Sequence, residues 1–288
     1  MSILTDTIRK QFKEGDDIRD EGLTTPDTVQ RFDNILYGDD PEWNTMDLYI
    51  PKEEKEKLPI IISFHGGGWV YGDKERYQYY CMSLAERGFA VINFTYRLAP
   101  EFKHPAPLED MNQVAHWIMN HAKDYFLDTE HIYGVGDSAG AHLLALYTSI
   151  LTNKEYASTY DFKVPEVFQF NALALNCGAY NITPESELTR ELMIEYLPNG
   201  GTEEEFKAID PKQYITSDFP PCFVMTAEGD FLVEDALTMS QVLTHHNVPH
   251  MYKYYVGDKP LNHVFHCNIK LKEATQCNDE ECQFFKNY

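Results

Sequence analysis

The chain has 288 residues, of which 43% are hydrophobic and 24% charged. This length and composition fit one large globular domain and exclude a disordered chain. With 24 basic and 46 acidic residues the formal net charge is −22, so nucleic acid and anionic membranes, which require basic surfaces, are not expected partners.

The amino-terminal residues MSILTDTIRK contain no apolar run behind a basic start, and no stretch approaches the roughly 18 apolar residues of a spanning helix. We therefore expect no secretory signal, no membrane association and a cytoplasmic protein. The scattered cysteines are compatible with a reducing compartment. Cys277 and Cys282 bracket four polar residues, and a metal or disulfide role for them is disfavoured because no second Cys or His pair completes a site.

An amphipathic helix is predicted over residues 3–12 and a strand over residues 43–50, followed by a charged turn at 52–57. Beyond them, short apolar runs rich in β-branched residues predict strands buried on both faces, at residues 58–64, 89–94, 131–135, 171–177, 221–227 and 250–256. Helical patterns lie between these strands, at residues 79–87, 108–121 and 139–151 and on the face formed by Val233, Ala236, Leu237, Ser240 and Leu243.

Strands that alternate with helices predict βα units and a mostly parallel sheet with helices on both faces. In such sheets the chemistry lies beyond the carboxyl ends of the strands. The loops after these strands are therefore the places where functional residues are expected.

One such loop reads Gly136-Asp137-Ser138-Ala139-Gly140 and lies between a predicted strand and a predicted helix. In this G-x-S-x-G pattern a sharp turn strains the serine backbone and lifts its hydroxyl above the sheet. The flanking glycines suit positions where neighbouring backbone comes close. Ser138 is therefore predicted to be a nucleophile rather than part of an ordinary glycine-rich turn.

A second loop, His65-Gly66-Gly67-Gly68-Trp69, follows the strand at 58–64. Consecutive glycines leave backbone N–H groups uncovered, and such groups stabilise an oxyanion when they donate together with the N–H of the residue after the nucleophile, here Ala139. An oxyanion hole is thus predicted at this loop.

A serine nucleophile needs a base and an acid that orients it. Asp230 follows the strand at 221–227, and His263 follows the strand at 250–256. Glu228, Glu234 and Asp235 compete with Asp230, but the first is expected at the strand edge and the other two on the next helix. His266 competes with His263 and is expected one turn into the closing helix.

These motifs resemble those of the hormone-sensitive-lipase-like esterases of the α/β-hydrolase fold. The resemblance covers roughly residues 45–287, and its matching segments are HGGGW at 65–69, YRLAPE at 96–101, PAPLED at 105–110, GDSAG at 136–140, DFL at 230–232 and HVF at 263–265. It implies an oxyanion hole of Gly67, Gly68 and Ala139, and a structural role for residues 96–101. The chain departs from the family pattern at Phe231, where the family usually has proline.

The whole chain is thus expected to form one α/β-hydrolase domain with a small lid, to which residues 1–42 and part of 183–212 contribute. Its expected function is hydrolysis of small or short-acyl esters by a Ser138–His263–Asp230 acyl-enzyme mechanism, without metal or cofactor. The alternatives are an amide, peptide or aryl-formamide hydrolase with the same triad and a non-catalytic small-molecule-binding relative, against which the presence of His263 argues. The sequence does not determine the acyl group or the alcohol of the substrate, or whether the protein forms a homodimer.

Overall fold

A computed structural model describes residues 2–53 and 56–288 of the chain. Residue 1 of the predicted lid segment and residues 54 and 55 of the predicted charged turn lie outside this range. The described strands are β1 (Val29–Leu36), β2 (Thr45–Pro51), β3 (Leu58–Phe64), β4 (Ala90–Phe94), β5 (Leu127–Asp137), β6 (Ala172–Asn176), β7 (Cys222–Ala227) and β8 (His250–Tyr255). The described α-helices are α1 (Ile3–Asp20), α2 (Lys74–Ala85), α3 (Ala106–His121), α4 (Ala139–Thr152), α5 (Lys154–Ala157), α6 (Glu187–Tyr196), α7 (Glu203–Ala208), α8 (Val233–His245) and α9 (Lys272–Phe285).

The strands form one sheet in the order β1-β2-β4-β3-β5-β6-β7-β8. Strands β3 to β8 are parallel, while β2 pairs antiparallel with both β1 and β4. This is the mostly parallel α/β-hydrolase sheet that the sequence predicted. Its parallel strands end at one edge, so the loops after β3, β5, β7 and β8 share that edge.

The central strands contribute side chains to two hydrophobic cores, one on each face of the sheet. In β3, Ile60 and Ile62 belong to one core and Ile61 to the other, as the twofold alternation of a strand requires. Helices α3, α4 and α8 cover the first face, and α2 and α9 cover the second. The apolar runs in the sequence are thus explained by burial on both faces.

The predicted helices at the amino terminus and after β3 were too short. Helix α1 continues through Gly15 to Asp20, and α2 begins at Lys74, where the Asp73 side chain accepts the Arg76 N–H and caps the helix. Strand β1 was not predicted, because a register shift between Phe32 and Ile35 interrupts its alternation. None of the helices in the described part of the chain is both long and apolar enough to cross a membrane.

Candidate active site

Ser138 occupies the sharp turn between β5 and α4, with the strained backbone angles φ 51° and ψ −120°. A Cβ atom at Gly136 would lie 2.8 Å from the carbonyl carbon of Gly140. A Cβ atom at Gly140 would lie 2.5 Å from the carbonyl oxygen of His65 and closer still to that of Phe64. Both the predicted strain and the predicted need for glycine on either side of the serine are confirmed.

The glycine-rich loop begins beside this turn, because Phe64 of β3 is in register with Gly136 of β5. Gly67 has φ 121° and Gly68 has φ 61°, values that favour glycine. Among the described residues, no protein acceptor takes a hydrogen bond from the N–H of either glycine. Both groups therefore remain available as donors to another molecule.

Tyr77 joins the two loops, a role that the sequence did not indicate. Its hydroxyl donates to Asp137 Oδ2 over 2.7 Å and accepts the N–H of Gly66 over 2.9 Å. Burial raises the pKa of Asp137 to about 7, against the lowering effect of the Tyr77 hydrogen bond. The aspartate of the GDSAG motif thus holds the start of the glycine-rich loop through one tyrosine.

Asp230 and His263 meet at the same edge of the sheet, where His263 Nδ1 lies 2.7 Å from Asp230 Oδ1. The Asp230 carboxylate also accepts hydrogen bonds from Thr226 Oγ1 at 2.7 Å and from the N–H of Leu232 at 2.9 Å. Burial favours the neutral acid, but the His263 contact and these bonds outweigh it and lower the pKa of Asp230 to about 2. Asp230 is therefore an ionised, buried carboxylate at neutral pH.

The loops that carry Asp230 and His263 are tied together through their backbones. The N–H of Gly229 donates to the carbonyl of Leu261 over 2.9 Å, and a Cβ atom at Gly229 would lie 2.8 Å from that oxygen. The exposed Glu228 instead accepts the N–H of Gly257 at 3.2 Å. Of the competing acids that the sequence left open, Asp230 is the one bonded to His263.

The other competing residues lie elsewhere. Glu234 and Asp235 fall on α8, as predicted. His266 does not lie in the closing helix, because it belongs to a 3₁₀ turn over Phe265–Cys267 that precedes α9. It is fully buried, and burial lowers its pKa to about 3.

Two groups of side chains in the described residues bring three metal-ligating atoms together: Asp137, His266 and Cys267 in one, and Cys177, Asp230 and His263 in the other. In the second group, the histidine and carboxylate already bond each other. Cys277 and Cys282 belong to neither group, and all six cysteines are buried free thiols. The expectation of a metal-free and cofactor-free site remains a prediction.

The 183–212 segment lies over the glycine-rich loop. Leu192 of α6 is 3.9 Å from the position of a Cβ at Gly68, and Tyr196 stacks on Trp69 with ring centroids 5.6 Å apart. His142, on α4, accepts the Trp69 indole N–H at Nδ1 over 3.1 Å, and its Nε2 lies 2.7 Å from the carbonyl of Ile209. Burial lowers the pKa of His142 to about 3, so a neutral imidazole links the loop, α4 and this segment.

At the amino terminus, α1 packs on the chain that follows the glycine-rich loop. Arg9 donates to the carbonyls of Val70 and Ala99 and pairs with Glu101 at 2.7 Å. Phe12 packs edge-on against Tyr71 at 5.8 Å. Both predicted lid segments thus contact the loop or its continuation, and their action as a lid remains a prediction.

The remaining two motifs of the resemblance make contacts with the loop and with each other. Tyr96 stacks on His65 at 3.9 Å and donates its hydroxyl proton to the His65 carbonyl at 2.7 Å. Arg97 pairs with the buried Asp110 at 2.9 Å, joining the YRLAPE and PAPLED segments. The Tyr96 contacts hold the His65 backbone at the start of the glycine-rich loop, and the Arg97–Asp110 pair holds the two motifs to each other.

Comparison with known proteins identifies the family. The sequence profile of the BD-FAE family matches residues 46–245. The chain belongs to the BD-FAE family. It is 30% identical over 256 residues to an acetyl esterase of Salmonella schwarzengrund, covering 84% of this chain and 75% of that protein. It is 28% identical over 225 residues to a versiconal hemiacetal acetate esterase of Dothistroma septosporum, covering 73% and 68% respectively.

Solved structures share the fold. Esterase B of Lactobacillus rhamnosis superposes with a TM-score of 0.90 at 24% identity, over 99% of this chain and 94% of that one. The hyperthermophilic esterase of Pyrobaculum calidifontis superposes with a TM-score of 0.80 at 25% identity, over 100% and 91%. The predicted α/β-hydrolase fold and esterase family are confirmed. This protein, a member of the BD-FAE family, is a carboxylic-ester hydrolase.

Proposed function

We propose that this protein hydrolyses short-acyl esters, acetates foremost, through an acyl-enzyme formed on Ser138. The single observation that supports the triad best is the 2.7 Å contact between His263 Nδ1 and the ionised Asp230. With Nδ1 held by the carboxylate, Nε2 is the nitrogen available to exchange a proton with the serine.

In the first step, His263 takes the Ser138 hydroxyl proton as Oγ attacks the ester carbonyl carbon. The carbonyl oxygen becomes an oxyanion that accepts hydrogen bonds from the N–H groups of Gly67, Gly68 and Ala139. Collapse of this intermediate breaks the bond to the alcohol oxygen, which receives the proton from His263. Asp230 remains ionised and stabilises the imidazolium.

In the second step, a water molecule gives a proton to His263 and attacks the acyl carbon, again through an oxyanion held by the same N–H groups. His263 returns the proton to Ser138 Oγ as the bond from Oγ to the acyl carbon breaks. The products are the carboxylic acid and a regenerated serine, with no metal or cofactor needed for balance.

The preference for short acyl groups rests on the cover above the glycine-rich loop. Leu192, Trp69 and Tyr196 are each at most 8% exposed, so little open space adjoins the oxyanion hole on that side. The names of the two curated relatives, an acetyl esterase and an acetate esterase, point to the same acyl group. We infer that residues from 183–212 act as a small lid that limits acyl length.

Turnover of p-nitrophenyl acetate, butyrate, octanoate and palmitate by the wild type and by Ser138→Ala tests this proposal. We expect kcat/KM to fall with chain length and the substitution to lower acetate turnover by about 10⁴-fold or more, as loss of a serine nucleophile does. The matched control is Ser158→Ala, since Ser158 is exposed beyond α5, and it should retain wild-type turnover. Substantial activity in Ser138→Ala would overturn the triad, and faster turnover of palmitate would overturn the acyl preference.

The same triad can hydrolyse amides, so p-nitrophenyl acetate and p-nitroacetanilide should be compared in parallel. We expect the ester to be much the faster substrate, because a poor amide leaving group makes greater demands on proton donation by His263. A faster anilide would place the enzyme among the amide hydrolases.

A further inference from the structure

An exposed aromatic side chain, Phe231, follows Asp230 directly and lies beside the site. Phe231 is 72% exposed, and its ring lies 4.3 Å from the His263 ring between centroids, at a tilt of 43°. It occupies the position where the resemblance predicts proline. A large apolar side chain therefore touches the base of the proposed triad while most of its surface faces solvent.

The backbone on either side fixes this position. Asp230 is buried and bonded to His263, and its Oδ1 also accepts the N–H of Leu232. The Leu232 side chain packs against the core on the α8 face of the sheet. With its neighbours on both sides held in place, Phe231 lies against the imidazole without being drawn into the core.

The chemistry of the proposed mechanism determines which part of the substrate comes near this ring. His263 must protonate the alcohol oxygen as it leaves, and proton transfer requires about 2.6–3.2 Å between the heavy atoms. The first atoms of the alcohol therefore lie against the imidazole that Phe231 contacts. The carbonyl oxygen, in contrast, accepts hydrogen bonds from the glycine-rich loop, and the proposed lid places the acyl group toward Leu192.

The charge of the protein also limits which alcohol portions of an ester are expected to bind. Glu228 and Glu234 lie three residues before and three after Phe231, and both are exposed. These exposed carboxylates and the formal net charge of −22 disfavour an anionic alcohol portion. A neutral apolar alcohol can instead cover the open surface of the phenyl ring and remove apolar area from water.

We propose that Phe231 forms an alcohol-side subsite that selects esters of neutral apolar alcohols. This inference rests on the proposed function, because the triad sets where the leaving oxygen lies. Phe231 is a specificity-determining residue: it contacts the departing group and takes no part in proton transfer.

The test compares 2-phenylethyl acetate with ethyl acetate by pH-stat titration. The two alcohols have similar acidity and the same acyl group, so a change in the ratio of their kcat/KM values reports contact with the alcohol. In Phe231→Ala we expect this ratio to fall about fivefold to tenfold, and in Phe231→Tyr, which keeps the ring, we expect it to stay within about twofold of the wild type. The ratio of ethyl butyrate to ethyl acetate should not follow this pattern, because it reports the acyl side.

The matched control is Phe126→Ala. Phe126 is also an exposed phenylalanine, at 69%, but it precedes β5 at the end of that strand opposite Ser138. The two ends are separated by the eleven residues of β5, and each residue adds about 3.3 Å to the length of the strand. This variant should leave both ratios unchanged.

The failures of the two proposals are distinguishable. An unchanged alcohol ratio in an active Phe231→Ala enzyme, or a fall in Phe231→Tyr as large as in Phe231→Ala, would overturn the subsite alone. A change confined to the ratio of ethyl butyrate to ethyl acetate would place Phe231 beside the acyl group and would also overturn the proposed alcohol-side subsite. Full acetate turnover in Ser138→Ala would overturn the triad and, with it, the subsite.

Discussion

The site consists of two halves that are held in different ways. The central half, residues 64–69 and 136–140, lies at the carboxyl ends of β3 and β5 in the middle of the sheet, where backbone packs directly on backbone. The peripheral half, residues 228–232 and 257–263, follows β7 and β8, and β8 is an edge strand. There the links between the two loops include the backbone hydrogen bond from Gly229 to Leu261 and the contact between His263 and Asp230.

The peripheral half also carries an exposed apolar side chain. Phe231 is 72% exposed, whereas Phe64 and His65 of the central half are at most 1% exposed. A close-packed region cannot accept an added atom, while a region held by polar side chains can lose one and still fold. We therefore expect substitutions in the central half to affect folding first, and those in the peripheral half to affect catalysis first.

The largest expected effect is that of Gly140→Ala. Its Cβ atom would clash with the backbone carbonyls of Phe64 and His65, and backbone cannot rotate away as a flexible side chain can. We expect a loss of about 3 kcal/mol or more in the free energy of unfolding, measured by urea denaturation, or failure to accumulate in soluble form.

Gly15→Ala is the matched control, because Gly15 lies inside α1 with no atom within 4 Å of its added Cβ. Alanine is the better helix former there, so this variant should be more stable by up to about 1 kcal/mol. Equal stability of Gly140→Ala and the wild type would refute the division between the halves.

Asp230→Asn should show the opposite behaviour in the peripheral half. The amide preserves the shape of the side chain but removes the charge that orients His263 and stabilises its protonated form. We expect kcat for p-nitrophenyl acetate to fall about 10²- to 10⁴-fold, with the native circular dichroism spectrum retained.

Glu228→Gln provides the control for this substitution, because Glu228 bonds the Gly257 N–H and not His263. It should retain turnover within about threefold, since its side chain is exposed and amide oxygen can also accept that bond. A larger loss in Glu228→Gln than in Asp230→Asn would show that the acid had been misassigned.

The smallest expected effect concerns Glu281, which lies in α9 beneath the central half. It accepts hydrogen bonds from Asn176 at 2.6 Å and Tyr80 at 3.1 Å, and the Asn176 carbonyl accepts the N–H of Ser138. Burial raises the pKa of Glu281 from its ordinary value of 4.5 to about 7. The folded state therefore keeps this proton to a higher pH than the unfolded chain does.

Since the folded state binds the additional proton, the contribution of Glu281 to the free energy of unfolding should fall as pH rises from about 4.5 to about 7. Other buried groups contribute to the total as well: burial raises the pKa of Asp137 but lowers those of His142 and His266, whose contributions have the opposite sign. The measurement is therefore the difference in the free energy of unfolding between Glu281→Gln and the wild type, from urea unfolding at pH 5 and pH 7.5, and this difference should shift in favour of the variant at the higher pH. The control Glu280→Gln should show no such shift, because Lys253 and other partners outweigh burial and lower the pKa of Glu280; a Glu281→Gln difference that is the same at both pH values would contradict the prediction.

The local parts of the site were predictable from sequence because they depend on neighbouring residues. The GDSAG turn is determined by a strand, two glycines and a helix that are contiguous in the chain, and the structure confirms its strain and close packing. The bridge made by Tyr77 was missed, since nothing near residue 77 in the sequence indicates that it joins Gly66 to Asp137. Similarly, the neutral His142 gives no local sign that it joins Trp69 to Ile209.

The sequence by itself determined the fold class, the parallel strands and the set of candidate residues, because apolar periodicity and glycine spacing are local consequences of burial and backbone geometry. Only the tertiary structure shows which of Glu228 and Asp230 meets His263, since both follow β7 in the chain. It also decided that Phe231 lies on His263 and Leu192 over Gly68. Such contacts depend on how distant loops approach one another, and that approach is set by the packing of the whole sheet.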